Sequence, residues 1–99
     1  MNFETLYHWA NPTRRDSIRA TGLEAGRDST GRNRVYLDLL CDVDDAGEEY
    51  DIWAVDVSGL QVAEDASEQN LHPGEWFEVK GSIGPERLTL AHEGELDLD

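Results

Sequence analysis

The chain lacks most of what staples or anchors a small protein. Cys41 is its only cysteine, so no internal disulfide forms and a metal site built on several thiolates is excluded; a reducing, intracellular setting fits. Nowhere do apolar residues run long enough to span a bilayer, and the opening "MNFETLYHW" has no basic stretch ahead of an apolar run. The expectation is a cytoplasmic protein that is neither exported nor membrane-spanning. Glycine-rich phosphate loops are missing. His8, His72 and His92 lie far apart without spaced carboxylate partners, which gives no pattern for a metal. Ser17, Ser58 and Ser82 sit in no nucleophile elbow, and Cys41 has no nearby histidine. The acidic run "DVDDAGEE" has the charge of a calcium loop but not its ligand spacing.

Positive charge is scarce and unevenly placed. Residues 1 to 40 hold six arginines against five carboxylates, whereas residues 41 to 99 hold Lys80 and Arg87 against seventeen, for a formal charge of −14. Such a field repels nucleic acid and anionic membranes, so a polyanion would have to approach the arginine-bearing N-terminal part. The acidity itself reads equally as a solubilising surface or as a nucleic-acid-mimicking or salt-adapted one.

With 99 residues the chain has room for one modest core. Leu6 to Ala10 reads as a short buried strand. Asn11 offers a helix cap, Pro12 suits the first helical position, Thr13 to Ala20 make two turns, and Gly22 closes them. The glycine-bearing run "EAGRDSTGRNR" reads as an exposed loop, Val35 to Leu40 as a second strand, and "DVDDAGEE" as an acidic turn. "YDIWAVDV" alternates, with Asp51, Trp53, Val55 and Val57 on one face. Residues 63 to 74 read as polar and turn-rich, "EWFEVKGSI" resumes strand character, and "LTLA" makes a last strand. The pattern implies an α+β domain over residues 1–91, with one short N-terminal helix and about five strands in a mixed or antiparallel sheet, followed by a frayed acidic tail, 92–99.

Three of these segments together resemble the ADP-ribosyltransferase superfamily, in its poly(ADP-ribose) polymerase and diphtheria-toxin branch. "LYHWAN" is similar to the first strand motif, "RVYLD" to the second and "GEWFEVKGSIGPERL" to the third, in the order His8, Tyr36, Glu75. The helix after "LYHWANP" also looks like the opening of the DNA-modifying toxins and, more distantly, of the RNA 2′-phosphotransferases. The resemblance covers residues 6 to 90 in patches. It implies a split β-sheet with NAD as substrate, and transfer of ADP-ribose to a protein, nucleic-acid or small-molecule acceptor. His8 would donate to the adenosine-side ribose, the backbone at Trp9 would hold the carboxamide, Tyr36 would stack on nicotinamide, and Glu75 would stabilise the cationic ribose. Arg19, among the arginines of the first helix, would meet the pyrophosphate.

The chemistry asks for these residue types on its own account. Breaking the nicotinamide–ribose bond develops positive charge on the ribose, so a nearby anion and a firm hold on both groups lower the barrier. Each residue also has a plainer reading: His8 as a hydrogen-bonded core histidine, Tyr36 as strand packing, the arginines as surface partners of the carboxylates. Glu78 rivals Glu75, but alternation puts Glu75 with Phe77 and Val79, and Glu78 with Trp76 and Lys80 on the wetter side. Only one strand and one loop separate Tyr36 from Glu75 in this reading, and that brevity supports an alternative function. It is a non-catalytic interaction or inhibitor module of viral or mobile-element origin, which binds a protein partner through its acidic surface.

Overall fold

The structure, a computed structural model, describes residues 4–25, 34–64 and 76–95. β1, Thr5–Ala10, buries Leu6 and Ala10 on one face. Asn11 ends it, because its side-chain oxygen accepts from the Thr13 amide at 3.0 Å and from the Thr13 hydroxyl at 2.9 Å. Pro12, with its fixed φ and no amide to waste, then starts a tight 3-10 turn, Pro12–Arg14. The helix α1 proper begins one turn later than the sequence suggests, at Arg15–Thr21. Gly22 stops it at a φ of 82°, where a Cβ would collide with the Ile83 carbonyl oxygen. That close approach lets Leu23 and Ile83 exchange backbone hydrogen bonds of 2.8 and 2.9 Å.

The remaining elements are β2 (Arg34–Asp38), a single helical turn α2 (Val43–Ala46), β3 (Asp51–Asp56), β4 (Val62–Glu64), β5 (Trp76–Lys80), a 3-10 turn (Pro85–Arg87) and β6 (Leu88–His92). The strands form one six-stranded sheet in the order β4-β5-β2-β1-β3-β6, and every neighbouring pair is antiparallel. Of the two sheet types expected, the antiparallel one is present. Two details correct the sequence reading. The acidic turn winds into a helix because Asp42 accepts from the Asp45 amide at 3.1 Å. A sixth strand, β4, is too short and too exposed to leave an alternating pattern.

β1 lies near the middle of the sheet, and its two sides differ. It pairs with β3 along its whole length, from Thr5↔Asp56 to Ala10↔Asp51, but with β2 only at Tyr7↔Asp38. The sheet is therefore two three-stranded halves, β4-β5-β2 and β1-β3-β6, joined by a single backbone pair. Beneath both halves runs one core. Leu6, Val35, Leu37, Trp53, Val55, Phe77 and Val79 supply it from the strands, and Ile18 closes it from α1. Burying side chains of this kind contributes about 1.5–3 kcal/mol each.

An ion pair locks helix to sheet. Asp51 is fully buried at the start of β3, and it holds Arg15 by two bonds, Nε to Oδ2 at 2.8 Å and Nη2 to Oδ1 at 2.7 Å. Arg15 also donates to Glu93 at 2.8 Å and to the Gly94 carbonyl at 2.8 Å, and the Gly94 amide returns a 2.7 Å bond to Asp51. The segment expected to fray from His92 is thus held through Glu95, whose amide bonds to the Glu48 carbonyl at 2.8 Å. Among the described residues, no helix is long and apolar enough to cross a membrane.

Candidate functional site

The seam between β1 and β2 is where two of the sequence-selected residues, His8 and Tyr36, meet. Past the pair Tyr7↔Asp38 the strands part, and there the His8 ring takes over from the backbone: its Nδ1 lies 2.9 Å from the Tyr36 carbonyl oxygen. A carbonyl only accepts, so Nδ1 carries the proton. Burial holds the His8 pKa below its ordinary value; the bond to the carbonyl opposes this, and the charge of Arg14 adds to it. The imidazole is therefore neutral at physiological pH, with a lone pair on Nε2. This corrects the expected role in one respect. The remaining ring nitrogen, Nε2, can accept a hydrogen bond but not donate one, because the ring's one proton is already engaged, whereas a donor was expected.

Tyr36 reaches the seam through its backbone. Its neighbours Val35 and Leu37 are buried in the core, so the phenol leaves the opposite face, in register with Glu78 on β5. His8, between Leu6 and Ala10, issues from the core face of β1. The two side chains thus border the seam from opposite sides, and a ligand meeting both would lie along the seam, not flat on one face. Trp9 is on the same face as Tyr36, across from Ile52, and its ring packs at 5.7 Å and 43° against Tyr50. Its indole Nε1 is buried without an acceptor among the described residues.

The other selected residues fall outside this geometry. Glu75 lies outside the described residues. The alternation used to prefer Glu75 is what β5 displays, with Phe77 and Val79 buried and Trp76 and Glu78 half-buried. Arg19 is exposed on α1 and makes no bond to His8 or Tyr36. Arg15, another arginine of the first helix, is consumed by Asp51 and Glu93. One signal pointed to this clamp: Asp51 shares a strand face with Trp53, Val55 and Val57, and a carboxylate on an apolar face requires a partner.

No group of three or more potential metal ligands occurs among the described residues. When compared with known families and with curated proteins, the sequence matches no family model and no curated protein.

Proposed function

We propose that the chain is a small NAD-dependent ADP-ribosyltransferase that works in the cytoplasm on a protein, nucleic-acid or small-molecule acceptor. The observation that carries this reading is the His8 ring bonded to the Tyr36 carbonyl at the point where β1 and β2 part. Two motifs that the resemblance pairs are thereby adjacent, beside the single backbone pair that joins β1 to β2, with a neutral imidazole able to accept from a hydroxyl. In the reaction the C–N bond to nicotinamide breaks and its electron pair leaves with the neutral base. The acceptor then supplies the pair that forms the new bond to ribose and releases a proton. Glu75 stabilises the cationic ribose, Tyr36 positions the nicotinamide, and His8 fixes a ribose hydroxyl by accepting a hydrogen bond from it at Nε2.

Titrating the protein with NAD, followed by calorimetry and by the fluorescence of Trp9, tests the proposal. His8→Ala and Tyr36→Ala are expected to abolish the response, while Glu75→Gln keeps binding and loses turnover. Wild-type protein that ignores millimolar NAD would sink the reading.

A second reading rests on a different observation. The exposed large apolar side chains among the described residues, Leu39, Leu40, Val43 and Tyr50, all fall in one stretch with Asp42, Asp44, Asp45, Glu48 and Glu49. Apolar anchors ringed by carboxylates suit a basic protein surface carrying an apolar residue of its own. That module would bind independently of His8, and its affinity would fall steeply as salt rises.

A further inference from the structure

An acidic protein has no shortage of partners for its arginines, and the described ones show how they are used. Arg15 spends Nε, Nη1 and Nη2 on Asp51, Glu93 and the Gly94 carbonyl. Arg87 rests on the carbonyls of Asp56 and Ser58, each at 3.0 Å. Arg19 is exposed and solvated, which costs nothing.

Arg14 departs from this pattern. It ends the 3-10 turn after β1, half-buried, with its backbone amide fixed to the Asn11 carbonyl at 2.9 Å. Its Nε is shut away from solvent and meets no acceptor among the described residues, and no carboxylate of theirs pairs with it. Its charge is felt at the His8 ring. A buried N–H left without an acceptor is costly, and here it belongs to a charged group. In a chain with 22 carboxylates, the simplest remedy would be one acidic side chain alongside. Among the described residues no carboxylate takes that place, so the guanidinium is left open to an anion from outside.

We propose that Arg14 is the anion-binding residue of the β1–β2 seam, taking a phosphate oxygen of a ligand whose neighbouring ribose hydroxyl is accepted by His8 Nε2. The ligand class is a phosphorylated ribose such as a nucleoside diphosphate. Guanidinium suits it because its planar fork meets phosphate oxygens in pairs, whereas a neutral imidazole beside it suits a hydroxyl and not a second anion. The inference deepens the transferase reading and replaces Arg19 by Arg14 as the phosphate contact.

The test uses the full chain with two probes, inorganic pyrophosphate and NAD, in calorimetric titrations of the wild type, Arg14→Gln, Arg14→Lys and Arg19→Gln. Arg14→Gln is expected to weaken both probes by about 10- to 100-fold, the range of a charge-assisted hydrogen bond. Arg14→Lys should recover part of the loss, and Arg19→Gln should change nothing. Because the Arg14 side chain bonds to none of the described residues, Arg14→Gln should melt no lower than wild type, which a merely structural role would not allow. Pyrophosphate should also raise the His8 pKa, followed by imidazole NMR, as the anion offsets the guanidinium charge. If wild type and Arg14→Gln bind NAD equally, the Arg14 assignment falls and the NAD reading stands. Conversely, pyrophosphate binding that needs Arg14, in a protein that ignores NAD, keeps the anion site and removes the NAD reading. A wild type that takes neither probe at millimolar concentration overturns the proposal.

Discussion

Replacing Asp51 by Asn tests whether the buried ion pair holds α1 to the sheet. Oδ1 of Asp51 serves both Arg15 Nη2 and the Gly94 amide, at 2.7 Å each, while Oδ2 takes Arg15 Nε at 2.8 Å. An asparagine keeps an oxygen for the first two but sets an NH2 against the Nε donor, and it leaves the guanidinium without its main counter-charge. Removing one partner of a buried pair costs about 3–5 kcal/mol. That is a large share of the about 5–15 kcal/mol available to a domain of this size. A loss of 3 kcal/mol corresponds to a melting temperature lower by about 12–24 °C. Urea unfolding followed by the emission of the buried Trp53 measures it directly. Glu93, whose side chain is 63% exposed, cannot substitute, and Glu93→Gln should cost no more than about 0.5 kcal/mol. The Arg15→Met, Asp51→Leu double variant removes both charges and is expected to lose less than the sum of the single variants. An Asp51→Asn protein within about 1 kcal/mol of wild type would refute the account of the clamp.

Two other outcomes follow from the same geometry. Gly22→Ala forces a side chain into left-handed backbone and against the Ile83 carbonyl, so it should cost at least about 1–3 kcal/mol in the same urea assay. Acid pH bears on His8 and Asp51 in separate windows. The folded His8 pKa lies below 6.5, so the unfolded chain binds the proton first. Its contribution therefore begins to fall as pH drops below about 6.5, and NAD affinity should hold through that pH and decline only lower, as Nε2 becomes protonated. For Asp51, burial works against ionisation, but the bonds from Arg15 and the Gly94 amide outweigh it and hold the pKa below 3.8. Its contribution is present above that value and is lost as pH falls through the lower folded value. An NAD-affinity midpoint above pH 6.5 would contradict the neutral-imidazole account.

Local chemistry made several parts of this protein readable in advance. Asn11 and Pro12 mark the turn after β1, Gly22 marks the end of α1, and the alternation of Phe77 and Val79 with Trp76 and Glu78 sets the faces of β5. Each follows from one residue's dihedral limits or from a period of two, neither of which needs a distant partner. The 3-10 opening of the first helix escaped because a Pro-started turn and a Pro-started α-helix present the same residues. β4 escaped because three residues, only one of them large and apolar, carry no period.

The candidate site was legible as residue types and not as geometry. His8 and Tyr36 stand out as a histidine and a tyrosine on two apolar strands, 28 positions apart. That they meet by ring and carbonyl, from opposite faces, depends on the register of two strands that pair only once. The arginines show the same limit most plainly. Arg14 and Arg15 are adjacent and chemically identical, yet one is locked to Asp51 and the other bonds to no described carboxylate. Sequence alone determined the acidic charge, most of the strands, the place and end of the first helix, and the residue types on which the proposed function rests, because composition, dihedral preference and periodicity are local properties. Only the tertiary structure decided which arginine is spent on the core and which bonds to no described carboxylate, because that choice rests on where β3 brings Asp51, some 36 residues further along the chain.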